Sequence, residues 1–270
     1  MRLGAKQVSK AVRLLSLLPT RPVEFFDRLV TVVDVAIERG RTKRLPCDTI
    51  GLIDALSQAL QVSHSDIGAI LAESEIGHIQ QEVMHNMLQS KHTQPFDPSH
   101  NGDFNLGRSI YVACRVLSPN IVLETGVAHG VTSAFILQAL SANRKGRLFS
   151  IDLPPLERNA DQNVGLLIPS ALKNRWSLHR GAARRILPDL VREIGDVDVF
   201  VHDSLHTRRQ MEFEFATIWS SLRPPAVLIA DDVGLNDAFH DFVSTMKPTF
   251  SAVVKEESKD ALFGILVKRT

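Results

Sequence analysis

The spacing of apolar residues changes near residue 105 of this 270-residue chain. Before that point, stretches such as 49–62 (TIGLIDALSQALQV) and 72–89 (AESEIGHIQQEVMHNMLQ) place apolar residues three or four positions apart, as helices do. After it, short continuous apolar runs alternate with longer amphipathic ones. The pattern predicts an N-terminal helical region, residues 1–104, followed by an α/β domain, residues 105–270.

Seven apolar runs of the second region are predicted strands. Five of them alternate with helical stretches, and they lie at 120–125, 146–152, 176–180, 197–203 and 226–232. The helical stretches lie at 131–142, 164–175, 182–194 and 208–222. The last two runs flank a polar turn within 250–269 and predict a terminal hairpin. We therefore expect a doubly wound, Rossmann-like sheet of seven strands, with its ligand site at the carboxyl ends of the parallel strands.

Composition narrows the class of protein. Apolar residues make up 44% of the chain and charged residues 23%, which is an ordinary balance for a domain with a buried core. The net charge of +1 and the absence of an aromatic stacking platform argue against a nucleic-acid partner. Two cysteines, Cys47 and Cys114, are too few for a disulfide framework and favour the reducing cytoplasm.

The first 45 residues have a charge pattern of their own. They hold ten Lys and Arg against four Asp and Glu, a net charge of +6, so the remainder carries −5. Their apolar runs are broken by charges and are shorter than the ~20 residues of a membrane span. We expect no secretory signal and no transmembrane segment. The segment is predicted to be a basic amphipathic helical region packed on the domain, with adhesion to an anionic membrane surface or a partner as the alternative.

Residues 90–105 interrupt the helical pattern. This stretch, SKHTQPFDPSHNGDFN, is rich in Pro, His and Asp and shows no periodicity. It is the best candidate for a linker or a lid.

Two features at the ends of the first two strands indicate a ligand that contains an anionic group and a ribose. The segment LETGVAHGVTSAF follows the first strand, and its Gly126 and Gly130 bracket a tight turn into a helix whose N-terminus offers free N–H groups. Asp152 ends the second strand, where a carboxylate can accept hydrogen bonds from a ribose diol. A dinucleotide-binding loop would have glycine at position 128, but Ala128 stands there, which weakens an NAD site.

Taken in order, the motifs of residues 105–270 resemble class I S-adenosylmethionine-dependent methyltransferases. Within that class, the chain resembles the cation-dependent O-methyltransferases of the catechol type and the bacterial sugar and macrolide O-methyltransferases. The matching segments are ETGVAHGVTS, SIDLP, GAARRILPDL, VDVFVHDSLH, LRPPAVLIADDV and FGILVK. The resemblance implies a seven-stranded sheet whose last strand is antiparallel, in agreement with the predicted hairpin.

The resemblance assigns roles to residues that follow the first three strands. The methionine end of the cofactor is lined by Glu124, Gly126, Ala128 and Gly130, and its carboxylate meets Thr132 or Ser133. Asp152 then holds the ribose, and Gly181 and Ala182 border the adenine. The chain departs from the pattern at Ala183 and Arg184, where catechol-type enzymes have polar residues that hold adenine, and at Pro225, where the wider class has glycine.

The resemblance also implies a site for a divalent cation, with Mg²⁺ the expected ion. Asp203 ends the fourth strand, and Asp231 and Asp232 end the fifth. Adjacent parallel strands lie about 4.8 Å apart, so these carboxylates can converge on one hard cation. Asp203 is assigned to the cofactor site and to catalysis as well. His206, three residues further on, is the predicted catalytic base, with a helix cap or a metal ligand as alternatives.

These assignments predict methyl transfer from S-adenosylmethionine to a hydroxyl group of a small molecule. A sugar or polyol suits the chain better than a flat catechol, because the chain has only one Tyr and two Trp. The resemblance further implies a homo-oligomer formed through the N-terminal helices. Three other functions stay open: an NAD-type nucleotide-sugar oxidoreductase, a metal-dependent hydroxylase-like relative, and a binding module without activity.

Overall fold

Seven strands form a single sheet in the computed structural model, which describes residues 5–38, 47–89, 102–157, 159–258 and 260–269. The strands are β1 (Ile121–Thr125), β2 (Arg147–Asp152), β3 (Trp176–Arg180), β4 (Val197–His202), β5 (Leu222–Ala230), β6 (Phe250–Lys255) and β7 (Leu262–Lys268). Their spatial order is β3-β2-β1-β4-β5-β7-β6. The pairs from β3 to β5 are parallel, and β7 runs antiparallel to both β5 and β6.

Helices flank the sheet and precede it. They are α1 (Ala5–Leu17), α2 (Pro22–Glu38), α3 (Leu52–Leu60), α4 (His64–Leu71), α5 (Ser74–Gln89), α6 (Phe104–Leu117), α7 (Val131–Ala142), α8 (Ala160–Asn163), α9 (Ala183–Ile194), α10 (Arg208–Trp219) and α11 (Ala238–Met246). A short 3₁₀ helix covers Ser170–Arg175. No helix among these described residues is long and apolar enough to cross a bilayer.

The apolar core has two layers, one on each face of the sheet. Successive residues of a strand point to opposite faces. Val199 and Val201 of β4 accordingly join one apolar cluster with helices α3 to α7, while Phe200 joins the other with α9, α10 and α11. All six residues of β4 are buried, including Asp198 and His202, so both faces of this central strand are covered.

The predicted doubly wound sheet with an antiparallel last strand is confirmed. The predicted helix at 164–175 is not formed, since the chain makes turns there and then the 3₁₀ helix. Gly165 has a φ of +68° and Pro169 lacks a backbone N–H, so this stretch does not propagate an α-helix. Most of the lid candidate at 90–105 lies outside the described residues, which resume at Gly102, ahead of α6.

Candidate functional site

The carboxyl ends of β1, β4 and β5 lie side by side and hold the candidate site. The Asp203 N–H donates to the Thr125 carbonyl at 2.8 Å, and the Asp231 N–H donates to the His202 carbonyl at 2.8 Å. These two bonds continue the strand pairing one residue past each strand. Asp203 and Asp231 are thereby fixed at the same edge of the sheet.

Asp203, His206 and Asp231 each place one ligand atom within 4.8 Å of the others. Asp231 is only 3% exposed, and its Oδ1 has no hydrogen-bond partner. The Nε2 of His206 is also buried without a hydrogen-bond partner, and it lies 3.7 Å from Asp203 Oδ1. Buried polar atoms normally find a partner, so this arrangement suits a bound cation or a polar substrate atom.

Asp232, the third predicted carboxylate ligand, contacts His206 in this structure. Its backbone is left-handed, with a φ of +54°, and its Oδ2 accepts a hydrogen bond from His206 Nδ1 at 2.7 Å. The structure therefore groups His206, rather than Asp232, with Asp203 and Asp231. Asp232 instead fixes the orientation of the imidazole, as carboxylates behind functional histidines do.

Opposing effects act on the pKa of His206. Burial lowers it, but the hydrogen bond to Asp232 and the nearby charges of Asp231 and Glu214 outweigh burial and raise it. With the Nδ1 proton directed at Asp232, Nε2 is the atom that faces Asp203 and Asp231. It is the atom through which His206 can accept a proton or bind a metal.

The glycine loop is shaped by close backbone contacts. Gly126 has a φ of +84°, and its N–H donates to the Ile151 carbonyl at 2.9 Å. A Cβ at this position would lie 1.8 Å from the Asp203 carbonyl oxygen, so only glycine fits. Gly130, with a φ of +90°, leads into α7. Ala128 adopts a φ of +47°, which glycine would adopt without strain.

Asp152 ties this loop to the end of β2. Its Oδ2 accepts from the N–H groups of Val127 at 3.2 Å and Ala128 at 2.9 Å. Its carbonyl accepts from the Gly181 N–H at 2.8 Å, and Ala182 then caps α9. Burial raises the pKa of Asp152 to about 6, although the two N–H groups oppose the effect. The predicted ribose and adenine residues are therefore adjacent.

Glu124 and Ser133 face each other beneath the loop. Glu124 is fully buried, and its Oε2 accepts from the Ser133 and Ser150 hydroxyls at 2.7 Å each. Its Oε1 has no hydrogen-bond partner. The Thr132 hydroxyl donates to Asp203 Oδ2 at 3.4 Å. Both hydroxyls predicted to meet a cofactor carboxylate are thus directed at protein carboxylates in this structure.

We expect stability to fall as the pH rises, because burial raises the pKa of Glu124 to about 7 from the ordinary value of 4.5. A raised carboxyl pKa means that the folded state binds the proton more tightly than the unfolded state does. The contribution of protonated Glu124 to the free energy of unfolding is fully present below pH 4.5. It is lost as the pH rises through 7, which lowers that free energy by about 3 kcal/mol. Urea unfolding of wild type and Glu124→Gln between pH 5 and 8 measures it.

Glu124→Gln should show a flatter dependence on pH than wild type. Part of the slope should persist, because the raised pKa of Asp152 acts in the same direction. Glu193→Gln, an exposed change on α9, is the control and should follow wild type. Equal slopes for wild type and Glu124→Gln would show that Glu124 is ionised in the folded protein throughout this range.

A buried network behind the site was not found from the sequence. Glu214 of α10 is fully buried and accepts from His202 Nδ1 at 2.6 Å, Ser204 Oγ at 2.8 Å and Gln210 Nε2 at 2.7 Å. Burial raises the pKa of Glu214, but His202 and the hydrogen bonds from Thr125 and Gln210 outweigh burial and lower it. Glu214 occurs in an ordinary amphipathic helix, so its sequence context carries no signal of this role.

A cavity of about 290 Å³ opens beside Asp232. Gly234, Leu235 and Leu262 supply apolar surface, while Lys255 and Asp260 place charged groups on its wall. The other lining residues are Cys47, Thr49 and Ala261. A cavity with an apolar lining and a few polar groups, next to a cluster of titratable residues, has the features of a small-molecule site.

Comparison with known proteins agrees with this geometry. Residues 123–233 match the family model described as "Methyltransferase domain". No curated protein matches the sequence. The structure is similar to the O-methyltransferase TomG of Streptomyces achromogenes, involved in tomaymycin synthesis and solved with S-adenosylmethionine. That pair has 19% identity and a TM-score of 0.54, over 88% of this chain and 96% of TomG.

Two further solved structures share the fold. The Bacillus cereus O-methyltransferase, solved with S-adenosylhomocysteine, has 14% identity and a TM-score of 0.50, over 80% of this chain and all of that chain. The Podospora anserina methyltransferase PaMTH1, also solved with S-adenosylhomocysteine, has 15% identity and a TM-score of 0.51, over 69% and 88%. The resemblance found in the sequence is confirmed. Residues 123–233 thus match a methyltransferase domain, and the sheet has the fold of class I methyltransferases.

Proposed function

We propose that the protein transfers a methyl group from S-adenosylmethionine to a hydroxyl group of a small molecule, assisted by a divalent cation. The convergence of Asp203, His206 and Asp231 beside a cavity, at the sheet edge that also carries the glycine loop, is the observation that carries the proposal. The methyl donors and products bound in similar solved structures support it. The two free cysteines agree with a reducing cytoplasm.

The residues around the glycine loop fit the methyl donor. Gly126 and Gly130 let the backbone approach a ligand, and α7 directs its N-terminus at the same place. The Oδ2 of Asp152 accepts hydrogen bonds from the loop, which leaves Oδ1 to accept from the ribose hydroxyls. Gly181 and Ala182 follow β3 beside Asp152 and border the adenine in this proposal.

The residues at the ends of β4 and β5 fit a hard cation. Asp203 and Asp231 supply carboxylate oxygens, and the Oδ1 of Asp231 is buried without a hydrogen-bond partner. A bound Mg²⁺ would supply electrostatic help in ionising the acceptor hydroxyl. We keep His206 as the base, because Asp232 fixes its Nδ1 side and leaves Nε2 to accept the hydroxyl proton. The hydroxyl oxygen then forms a bond to the methyl carbon as the carbon–sulfur bond breaks.

The acceptor is proposed to bind in the cavity beside Asp232. Lys255 and Asp260 can hydrogen-bond hydroxyl groups, and Leu235 and Leu262 can cover an apolar face of the acceptor. This lining suits a sugar, a polyol or another hydroxylated natural product.

Calorimetric titration tests the donor site. We expect S-adenosylhomocysteine to bind with micromolar affinity after EDTA treatment, and Mg²⁺ to give a separate binding signal. Asp152→Asn should weaken donor binding about tenfold or more and leave the Mg²⁺ signal intact, since Asp152 lies on β2 and away from the cation cluster. Binding of NAD with no binding of S-adenosylhomocysteine would contradict the proposal.

His206→Gln separates the two roles open to this histidine. If His206 is the base, the variant should bind Mg²⁺ as wild type does but lose about 100-fold or more in turnover of a methylated acceptor. Loss of Mg²⁺ binding in this variant would make His206 a ligand instead. Mass spectrometry of the product checks the reaction, because a methyl group adds about 14 mass units and a hydroxyl group about 16.

A further inference from the structure

Helix α2 packs on the domain through its charged side. Its acidic residues follow one face of the helix, and all of them are directed toward the domain: Glu24, Asp27, Asp34 and Glu38. Glu24 accepts from Arg180 Nη1 at 2.8 Å, and Asp27 accepts from Arg185 Nε at 2.9 Å. The face that contacts the domain is thus the acidic one.

The rest of this contact has the same character. Asp34, only 2% exposed, pairs with Arg184 at 3.3 Å and with Arg209 at 2.9 Å. The Glu38 carboxylate accepts from the Arg208 N–H at 2.7 Å, at the start of α10. Burial raises the pKa of Glu24, but the hydrogen bonds and charges of Arg180 and Arg28 outweigh burial and lower it to about 2. Charged groups, rather than apolar ones, hold α2 in place.

The apolar side of the α1–α2 hairpin faces outward. Eleven large apolar side chains of α1, α2 and their connection are between 37% and 61% exposed: Val12, Leu15, Leu18, Val23, Phe26, Leu29, Val30, Val32, Val33, Val35 and Ile37. This arrangement is the reverse of the usual surface helix, which buries its apolar stripe and exposes its polar one. An exposed apolar surface of this extent is typical of a docking surface.

Charge decides which partner suits this surface. The first 45 residues contain only four acids, and all four contact the domain as described above. Ten Lys and Arg belong to the same segment, four of them directly after α2 in the sequence. Two copies of the chain packed through this surface would bring two basic segments together, which is unfavourable. An apolar surface whose sequence neighbours carry this net positive charge complements an anionic lipid surface.

We infer that the α1–α2 hairpin is an interfacial membrane anchor, which inserts its apolar side chains among the lipids of an anionic bilayer while its acidic face stays on the domain. The anchor lies over the edge of the sheet that carries the candidate site. Arg28 donates to the Pro154 carbonyl at 2.7 Å, two residues beyond Asp152, and Arg180 precedes Gly181. The hairpin therefore lies between a bound bilayer and the loops that carry Asp152 and Gly181.

Vesicle flotation of the full chain tests the anchor. We expect it to float with phosphatidylcholine vesicles that contain phosphatidylglycerol, to bind pure phosphatidylcholine vesicles at least tenfold more weakly, and to lose binding as salt is added. The double variant Phe26→Ser with Val33→Ser should lose at least tenfold in binding to the anionic vesicles. Both side chains are exposed, so the variant should fold as wild type does.

A matched control lies on α5. Leu88→Ser with Met84→Ser changes two apolar side chains that are 58% and 46% exposed, the same exposures as Phe26 and Val33. This variant should bind vesicles as wild type does. Light scattering in solution completes the test. A stable dimer that the Phe26 and Val33 changes dissociate, together with no flotation of wild type, would overturn the anchor and assign the surface to a second copy. No flotation and no dimer would overturn it too.

Discussion

Gly126→Ala should destabilise the fold by about 3 kcal/mol or more and abolish binding of S-adenosylhomocysteine. The added Cβ would lie 1.8 Å from the Asp203 carbonyl oxygen and 2.8 Å from the Ser204 N, both of them backbone atoms that cannot rotate away. The φ of +84° adds strain for any residue with a Cβ. Relief requires the glycine loop and the segment after β4 to move apart, and these are the two halves of the candidate site.

Unfolding in urea and calorimetric titration measure the two effects. Gly77→Ala is the matched control, because Gly77 lies in α5 and a Cβ there meets no atom within 4 Å. That change should stabilise the protein by about 0.5–1 kcal/mol, since alanine favours the helix more than glycine does. A Gly126→Ala variant as stable as wild type, with normal ligand binding, would mean that the loop and Asp203 are further apart than in this structure.

The strands could be predicted because burial leaves a direct pattern in the sequence. β4 is buried on both faces and appears as the mostly apolar run VDVFVH, and the glycine loop and Asp152 follow neighbouring strands where ligands bind. The helix predicted over 164–175 was wrong because apolar spacing does not reveal a left-handed glycine such as Gly165. Local backbone conformation overrode the pattern.

For the site residues, the sequence predicted which strand end each one follows but not where its side chain points. Spacing places Asp231 and Asp232 together after β5, but the left-handed backbone of Asp232 turns its carboxylate to His206. Nor does an amphipathic pattern say which side of a helix faces the domain. The acidic side of α2 faces the domain because it pairs with arginines such as Arg180 and Arg184, which lie about 150 residues away in the sequence.

Asp231→Asn should weaken Mg²⁺ binding about 100-fold or more, whereas Asp232→Asn should leave it within about tenfold of wild type. The two aspartates are neighbours in the sequence, and both changes replace one oxygen by an amide nitrogen. Only Asp231 has a buried oxygen without a hydrogen-bond partner beside Asp203 and His206. Asp232 already uses its Oδ2 to accept from His206 Nδ1. Calorimetric titration with Mg²⁺ compares the two directly.

Turnover measurements should show the separate role of Asp232. Asp232→Asn removes the carboxylate that orients His206, so we expect a loss of about 100-fold in kcat with little change in Mg²⁺ affinity. Asp189→Asn, an exposed change on α9, should leave both quantities at their wild-type values. If Asp232→Asn loses Mg²⁺ binding and Asp231→Asn keeps it, Asp232 is the ligand. Asp232 must then rotate away from His206 when the cation binds.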